Sequence, residues 1–270
     1  MNILLIGGTG FLGSYLNQYF SEKNHLDFTY ANQLNKNGIK YSAGKDLLSE
    51  VTSKKYDIVI NNINPLNLSY IQTLQCIEDV VSFCNHSGAK LIHISSISAL
   101  LENRFSNCYN LKKAIPEDYI QTEMNSDNYS ILRFTQLFDA KGLSRKSQAG
   151  LYYLLKEIKS GNPITIFSNN KVCYRNYMPV ELAISIIEEI ISKKMTGVFN
   201  AHLDVFTLSF DELIRQLTSL NKNYSSKELI VVGEKEGLPY YIPKQSNELV
   251  LKINRQHDLM YYFTNAYNLI

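Results

Sequence analysis

Residues 2–13 read NILLIGGTGFLG, an apolar run followed at once by a glycine-rich turn. The aliphatic run 2–6 predicts a β-strand. From Phe11 to Glu22, apolar side chains recur at helical spacing and predict an amphipathic helix. Three evenly spaced glycines therefore join the end of a strand to the start of a helix.

Each glycine of this turn has a physical role. Gly7 permits a tight turn, Gly10 lets a phosphate group approach the backbone closely, and Gly13 lets the helix pack against the strand. The first turn of the helix offers unpaired amide donors to an anion. This context predicts a dinucleotide-binding site whose loop residues are Gly7, Thr9, Gly10, Phe11, Leu12 and Gly13.

Short strand-like runs alternate with helical patterns through the first half of the chain, which is typical of a parallel sheet with crossover helices. The further predicted strands are residues 28–31, 39–42, 57–61, 90–95 and 129–134. The second half is less regular, and its pattern weakens beyond residue 203. We therefore predict an α/β fold, a Rossmann-type doubly wound parallel sheet with a smaller C-terminal α/β lobe that binds substrate.

Composition and charge exclude several classes of protein. The chain has 270 residues, of which 45% are apolar and 19% charged, as in a soluble globular protein. With 27 basic and 25 acidic side chains the net charge is +2, which gives no electrostatic basis for a nucleic-acid or membrane partner. No apolar run reaches membrane-spanning length. Four cysteines without Cys-x-x-Cys spacing and five scattered histidines predict no disulfide framework and no metal site, so we expect a cytoplasmic protein.

A serine-rich segment and a tyrosine–lysine pair follow the fifth predicted strand region. Residues 93–98 read HISSIS, and Tyr109 and Lys113 stand four apart, which places them on one face of a helix. An ammonium beside a phenol lowers the phenol pKa. We expect Tyr109 to donate or accept a proton beside a nicotinamide, with the Ser96 hydroxyl polarising the same carbonyl. The alternatives for the hydroxyl are Ser95 and Ser98.

The end of the second strand bears on the choice between NAD and NADP. An acid there commonly binds the ribose of NAD, but residues 30–33 read YANQ. Asn32 suits either cofactor and Lys36 is placed to reach a 2′-phosphate, so we expect NADP, with NAD as the alternative. Asp46 is a candidate for the adenine side, although helix capping explains it equally well. Asn62 follows the fourth strand and is either a cofactor ligand or a loop residue that satisfies its own backbone.

These motifs resemble the extended short-chain dehydrogenase/reductase family of nucleotide-sugar epimerases, dehydratases and reductases. Residues 8–13 match that family's Thr-Gly-x-x-Gly-x-x-Gly element in a slightly varied form. Ser96 falls at its active-site Ser or Thr, and Tyr109 and Lys113 match its Tyr and Lys. Segments 132–138 and 174–181 also resemble family motifs, so the likeness covers about residues 1–215.

The resemblance implies roles and boundaries. Ser96, Tyr109 and Lys113 would be catalytic, with Lys113 also holding the cofactor ribose. Ser96, Gln136 and Arg175 would bind a nucleotide-sugar substrate, with Arg175 at its diphosphate. The implied domains are 1–137 plus 172–192 for NAD(P) and 138–171 plus 193–270 for substrate. A homodimer is compatible with this family.

Departures from the family pattern narrow the reaction. The family's dehydratases carry an Asp-Glu pair after the active Ser or Thr, but Ile97 and Ser98 stand here, so we expect no dehydration. The spacing of 13 residues from Ser96 to Tyr109 is short.

The preferred function is reduction of a nucleotide-linked 4-keto-6-deoxyhexose in surface-polysaccharide biosynthesis. The alternatives are an epimerase with tightly bound NAD and a non-catalytic NAD(P)-sensing protein. Two further polar residues are predicted to be structural, His93 as a satisfied core histidine and Arg133.

Overall fold

The computed structural model describes residues 1–31, 37–41, 51, 54–63, 68–101, 107–168, 173–224, 229–233, 242–249 and 258–270. The chain divides into two compact units. The first comprises Met1–Phe134 and Ile186–Asn200, and the second comprises Thr135–Ser185 and Ala201–Ile270.

The strands and helices alternate along most of the chain. In chain order they are β1 Asn2–Ile6, α1 Phe11–Ser21, β2 His25–Tyr30, β3 Ile39–Lys40, β4 Ile58–Asn61, α2 Tyr70–Ser87, β5 Lys90–Ser96, α3 Cys108–Glu123, β6 Tyr129–Phe134, β7 Gln136–Phe138, α4 Ala149–Ser160, β8 Ile164–Phe167, β9 Tyr174–Pro179, α5 Val180–Ser192, β10 Gly197–Asn200, β11 Thr207–Ser209, α6 Phe210–Thr218, β12 Leu229–Val232 and α7 Leu259–Leu269. The helix predicted to begin near Tyr109 begins at Cys108 and continues through Pro116.

The first unit is built on a seven-stranded sheet in the order β10-β6-β5-β4-β1-β2-β3. All its strand pairs are parallel. Because the carboxyl ends of parallel strands meet at one edge, the glycine loop after β1 and the serines ending β5 lie at the same edge of this sheet. The predicted doubly wound parallel fold is confirmed.

Burial explains why these strands form where they do. Residues 3–6 of β1 are completely buried, as expected for a central strand covered on both faces. Helix α2 begins at a capping box in which Ser69 and Gln72 exchange hydrogen bonds. It ends at Gly88, whose φ of 73° is the left-handed conformation of the predicted C-cap.

The segment that returns to the first unit differs from the range implied by the resemblance. That range was 172–192, whereas Ile186–Asn200 returns in the structure. Strand β10 pairs with β6 and extends the large sheet, while β9 pairs with β7 and β11 in the second unit. On the first unit, the Tyr19 hydroxyl donates to Glu188 at 2.5 Å and ties α1 to the returning helix.

The second unit has a three-stranded sheet, β11-β9-β7, and a two-stranded pair, β12-β8. Its core includes Leu155, Leu213 and Phe263, which are fully buried and lie on α4, α6 and α7. The sequence pattern did not predict α6 or α7. Each nevertheless carries a local start signal, the Ser209–Glu212 capping box for α6 and the Asp258 N-cap for α7.

The described part of the chain bears on three expectations from composition. None of its helices combines the length and apolar character needed to cross a membrane. Its four cysteines are free thiols, three of them buried. Among the same residues no group of His, Cys, Asp and Glu side chains is arranged to hold a metal ion.

Candidate active site

The glycine loop between β1 and α1 is too crowded for larger residues at two of its glycines. Gly7 has a φ of 82°, and a Cβ atom there would lie 2.8 Å from the Asn62 carbonyl oxygen. A Cβ atom at Gly13 would lie 2.1 Å from the Gly7 carbonyl oxygen. The predicted tight turn at Gly7 and close helix–strand packing at Gly13 are therefore confirmed.

The start of α1 is open to a ligand. Its N-cap is Gly10, and no side chain caps the helix. A Cβ atom at Gly10 would meet only the Gly7 carbonyl oxygen, at 3.5 Å, so the space outside the turn is clear. The amides of residues 11–13 begin the helix and have no carbonyl within it to pair with, which is the arrangement that binds a phosphate. These residues fit a dinucleotide pyrophosphate.

The structure describes only some of the other predicted cofactor ligands. Asn62 lies against the loop and donates from Nδ2 to the Gly7 carbonyl oxygen at 3.5 Å. Buried Thr29 of β2 accepts from the Gly7 amide at 3.1 Å and supports the same turn. Asn32, Lys36 and Asp46 lie outside the described residues.

Ser96 and Tyr109 meet at the carboxyl end of β5. The Tyr109 hydroxyl and the Ser96 side chain are close enough to interact, so the short spacing between them does not keep them apart. Ser96 Oγ also accepts from the Ser98 amide at 3.2 Å and lies 3.0 Å from Ser98 Oγ. Ser98, one of the alternative hydroxyls, thus donates hydrogen bonds to Ser96 that hold its side chain in place.

Ser95 is wrong as an alternative, because its hydroxyl is committed elsewhere. It donates to the Glu117 carboxylate on α3. That carboxylate also accepts from Arg133 Nη2 at 2.6 Å and Nε at 2.9 Å, and Glu117 is 2% exposed. The structural role predicted for Arg133 is confirmed as one half of a buried ion pair.

Lys113 lies one helical turn after Tyr109 and is buried. Its ammonium donates to the Ile94 carbonyl oxygen at 3.3 Å. Burial lowers the Lys113 pKa to about 8, and the nearby Glu117 charge opposes that shift. Lys113 therefore still carries its positive charge at pH 7, but it loses its proton at a lower pH than an exposed lysine does.

The Tyr109 pKa is raised, not lowered as the sequence predicted. Burial of the phenol raises its pKa above the ordinary value, and the hydrogen bond with Ser96 only partly offsets this. Desolvation disfavours the phenolate more than its surroundings stabilise it. Tyr109 is consequently a protonated phenol at neutral pH, the form that a general acid requires.

The two substrate candidates belong to the second unit. Gln136 lies on β7, donates from Nε2 to Gln148 at 3.4 Å, and has a buried Oε1 atom with no partner among the residues that the structure describes. Arg175 lies on β9 and donates to the Tyr174 carbonyl oxygen at 3.0 Å. An acceptor left unpaired on burial is costly in a structural residue, so the Gln136 amide fits the prediction of a ligand contact.

Asp139 holds the loop after β7 in place. Its carboxylate accepts from the Ser144 amide at 2.8 Å, the Ser144 hydroxyl at 2.7 Å and the Leu143 amide at 3.0 Å. Tyr152 donates to the same carboxylate at 3.1 Å. These buried bonds fix residues 139–144 as a closed turn, which is a structural role.

Two further polar residues lie next to Lys113. Asn61 ends β4 beside His93 of β5, and the Asn61 Nδ2 and His93 Nδ1 atoms are 3.1 Å apart. His93 Nε2 is buried and has no hydrogen-bond partner among the described residues, so His93 is not the satisfied core histidine that was predicted. A histidine two residues before a serine-rich strand end was the available signal.

No protein-family model matches the sequence, and a search of curated proteins gives no significant match. Solved structures do match. A hypothetical dTDP-4-dehydrorhamnose reductase from Sulfolobus tokodaii is 20% identical with a TM-score of 0.69 over 88% of each chain. UDP-glucose 4-epimerase from Thermotoga maritima, solved with UDP-glucose, is 16% identical with a TM-score of 0.74 over 100% of this chain and 98% of its own.

A third match is dTDP-glucose 4,6-dehydratase from Bacillus anthracis, solved with NAD. It is 16% identical, with a TM-score of 0.76 over 100% of this chain and 96% of its own. All three belong to the group of nucleotide-sugar reductases, epimerases and dehydratases that the sequence motifs resemble. The resemblance is confirmed at the level of structure, and the chain has the fold of the extended short-chain dehydrogenases/reductases.

Proposed function

We propose that the chain is an NAD(P)H-dependent reductase of a nucleotide-linked 4-keto-6-deoxyhexose. One observation carries most of the proposal, the protonated Tyr109 phenol beside Ser96 at the sheet edge that also holds the glycine loop. A proton donor and a polarising hydroxyl at one point are what the reduction of a ketone needs. The proposed substrate class draws support from the nucleotide-sugar enzymes that share the fold.

The roles of the chain's own residues follow from their positions. Tyr109 would donate its proton to the sugar carbonyl oxygen as that oxygen gains electrons. Ser96, which lies beside Tyr109, would orient the same oxygen. The Lys113 ammonium would stabilise the phenolate left on Tyr109, because opposite charges favour each other strongly where water is excluded.

The cofactor would be held by residues that fit it. The uncapped start of α1 and the glycine turn would bind the pyrophosphate, with Asn62 beside it. Lys113 would hold the ribose. When bound, NAD(P)H supplies the reducing equivalents for the ketone.

We expect Gly10→Val to abolish NAD(P)H binding and leave the protein folded. A Cβ atom at Gly10 makes only an ordinary contact with the Gly7 carbonyl oxygen, so the new side chain fits there but fills the approach to the first-turn amides. Fluorescence titration with NADPH and NADH measures the loss. Gly150→Val is the matched control, because its surroundings are equally open and it lies on α4, away from the loop. Unchanged titration in Gly10→Val would remove the glycine loop from the cofactor site.

We also predict that NADPH binds more tightly than NADH. The prediction rests on the absence of an acid at residues 30–33 and on Lys36 as a partner for the 2′-phosphate. A single phosphate contact corresponds to about a tenfold difference in Kd, or about 1.4 kcal/mol. Titration of wild type and Lys36→Met with both cofactors measures it. A preference for NADH in the wild type would show the inference to be wrong.

A nucleotide-sugar epimerase with tightly bound NAD is the second candidate, because an epimerase matches over nearly its whole length. The nicotinamide content of purified protein separates the possibilities. A reductase arrives empty and takes up NADPH. An epimerase arrives with NAD that survives dialysis, and a non-catalytic sensor binds a cofactor that no ketosugar oxidises.

A further inference from the structure

A small cavity lies beside Lys113, inside the first unit. It measures about 20 Å³, and its walls come from β4, β5, α2 and α3. The polar side chains that line it include Asn61, Thr73, His93 and Lys113. A buried water needs about 10–15 Å³ of such space and two to four polar partners, so the cavity has room for one water molecule.

The hydrogen bonds around Asn61 determine which nitrogen of His93 carries the proton. Asn61 Oδ1 accepts from the Ile63 amide at 3.3 Å. The Asn61 Nδ2 group therefore faces His93 Nδ1, at 3.1 Å, and donates to it. An Nδ1 atom that accepts a hydrogen bond leaves the proton of neutral imidazole on Nε2. The buried His93 Nε2 atom is consequently a donor without a protein acceptor.

The other polar groups in the cavity show what can accept that proton. The Lys113 ammonium has donors only, so it cannot pair directly with the His93 N–H. The Thr73 hydroxyl gives its own proton to the Ser69 carbonyl oxygen at 2.9 Å and keeps its lone pairs. A water held in the cavity would accept from the His93 and Lys113 N–H groups and donate to a Thr73 lone pair.

We propose that His93 is a positioning residue for Lys113, which it fixes through one buried water held between its Nε2–H group and the Lys113 ammonium. This inference rests on the proposed function, in which Lys113 stabilises the Tyr109 phenolate and holds the cofactor ribose. With Ile94 as its other partner, the ammonium is then held from two sides.

The charges around this cluster are consistent with a neutral His93. Burial and the Lys113 charge lower the His93 pKa to about 3, so His93 stays uncharged at neutral pH. Helix α3 carries Lys112 and Glu117 as well as Lys113. Glu117 pairs with Arg133 of β6. From α2, Cys76 also lines the cavity. Protonation of His93 would place a second positive charge opposite Lys113, and none of the groups named above would pair with that charge.

The first test needs no substrate. Long-range ¹H–¹⁵N correlation spectra of the whole protein report the tautomer of His93, assigned with His93→Gln. We expect the Nε2–H tautomer, unchanged as the pH crosses the ordinary histidine pKa of about 6.5. An Nδ1–H tautomer, or titration near that pH, would overturn the proposal.

The second test compares His93→Leu with His93→Gln. Leucine fills the space but cannot hold the water, whereas glutamine retains an N–H donor. The water stabilises the charged form of Lys113, so loss of the water lowers the Lys113 pKa. NADPH affinity, which falls as Lys113 loses its proton at alkaline pH, should therefore begin to fall at a lower pH in His93→Leu only. We expect about tenfold weaker NADPH binding at neutral pH in His93→Leu, equivalent to about 1.4 kcal/mol, and recovery to within about threefold in His93→Gln.

Equal pH profiles in wild type and His93→Leu would contradict the positioning role. Equal losses in the leucine and glutamine variants would mean that His93 acts by packing alone, and would also overturn it. Neither spectra nor NADPH titration uses a sugar. If no ketosugar is reduced, the proposed function fails while these outcomes still decide the role of His93.

Discussion

Tyr109→Phe is expected to lower kcat for ketosugar reduction by about 10²–10⁴, the usual scale for the loss of a general acid. The substitution removes one oxygen from a side chain that donates the proton in the proposed reaction. It leaves the ring in place, so stability and NADPH affinity should change little. Steady-state kinetics with a nucleotide-linked 4-keto-6-deoxyhexose, together with NADPH titration, measure both parts of this expectation.

Tyr119→Phe provides the matched control for that experiment. Tyr119 lies on the same helix, and its hydroxyl has no part in the proposed site. The control should keep wild-type turnover. Full activity in Tyr109→Phe would exclude Tyr109 as the acid, whereas a parallel loss in Tyr119→Phe would trace the effect to the helix itself.

Glu117→Leu is expected to destabilise the protein by about 3–5 kcal/mol, the range for removing one partner of a buried ion pair. The Arg133 guanidinium would remain mostly buried with its bidentate acceptor gone, and the Ser95 hydroxyl would lose its acceptor as well. Urea denaturation followed by circular dichroism measures the free energy of unfolding.

The double variant Glu117→Leu with Arg133→Met tests whether the lost stability comes from the unpaired Arg133 charge or from the change at residue 117 itself. Replacing both charges by apolar side chains of similar size should recover most of the lost stability. Lys23→Met is the comparison for an exposed pair, because Lys23 and Glu188 are about half exposed, and it should cost less than about 1 kcal/mol. A double variant as unstable as Glu117→Leu would refute this account of the ion pair.

The sequence was most informative where local chemistry allows few alternatives. Gly7 and Gly13 lie where only glycine fits, so their spacing after an apolar run was enough to predict the loop. Gly88 likewise marked the end of α2 through its left-handed conformation. In the second unit, α6 and α7 are short helices that the sequence analysis did not predict. Their buried apolar residues nevertheless recur at helical spacing, for example Phe210, Leu213 and Leu217 in α6, so the signal was present together with the N-caps.

The site was predictable in its residue types and less so in its electrostatics. Spacing alone placed Tyr109 and Lys113 on one face of a helix, and this holds. Spacing carries no information on burial, which reverses the expected direction of the Tyr109 pKa. It also could not separate Ser95 from Ser96, since these adjacent residues of β5 are distinguished by the long-range contact of Ser95 with Glu117.

The most direct test of the central claim is consumption of NADPH by purified protein with a nucleotide-linked 4-keto-6-deoxyhexose. The account predicts NADPH oxidation that depends on the ketosugar, with one NADPH used for each deoxysugar formed and a rate that falls by about 10²–10⁴ in Tyr109→Phe. Conversion of a nucleotide sugar into its epimer without net NADPH consumption, or no reaction by wild-type protein that binds NADPH, would contradict it.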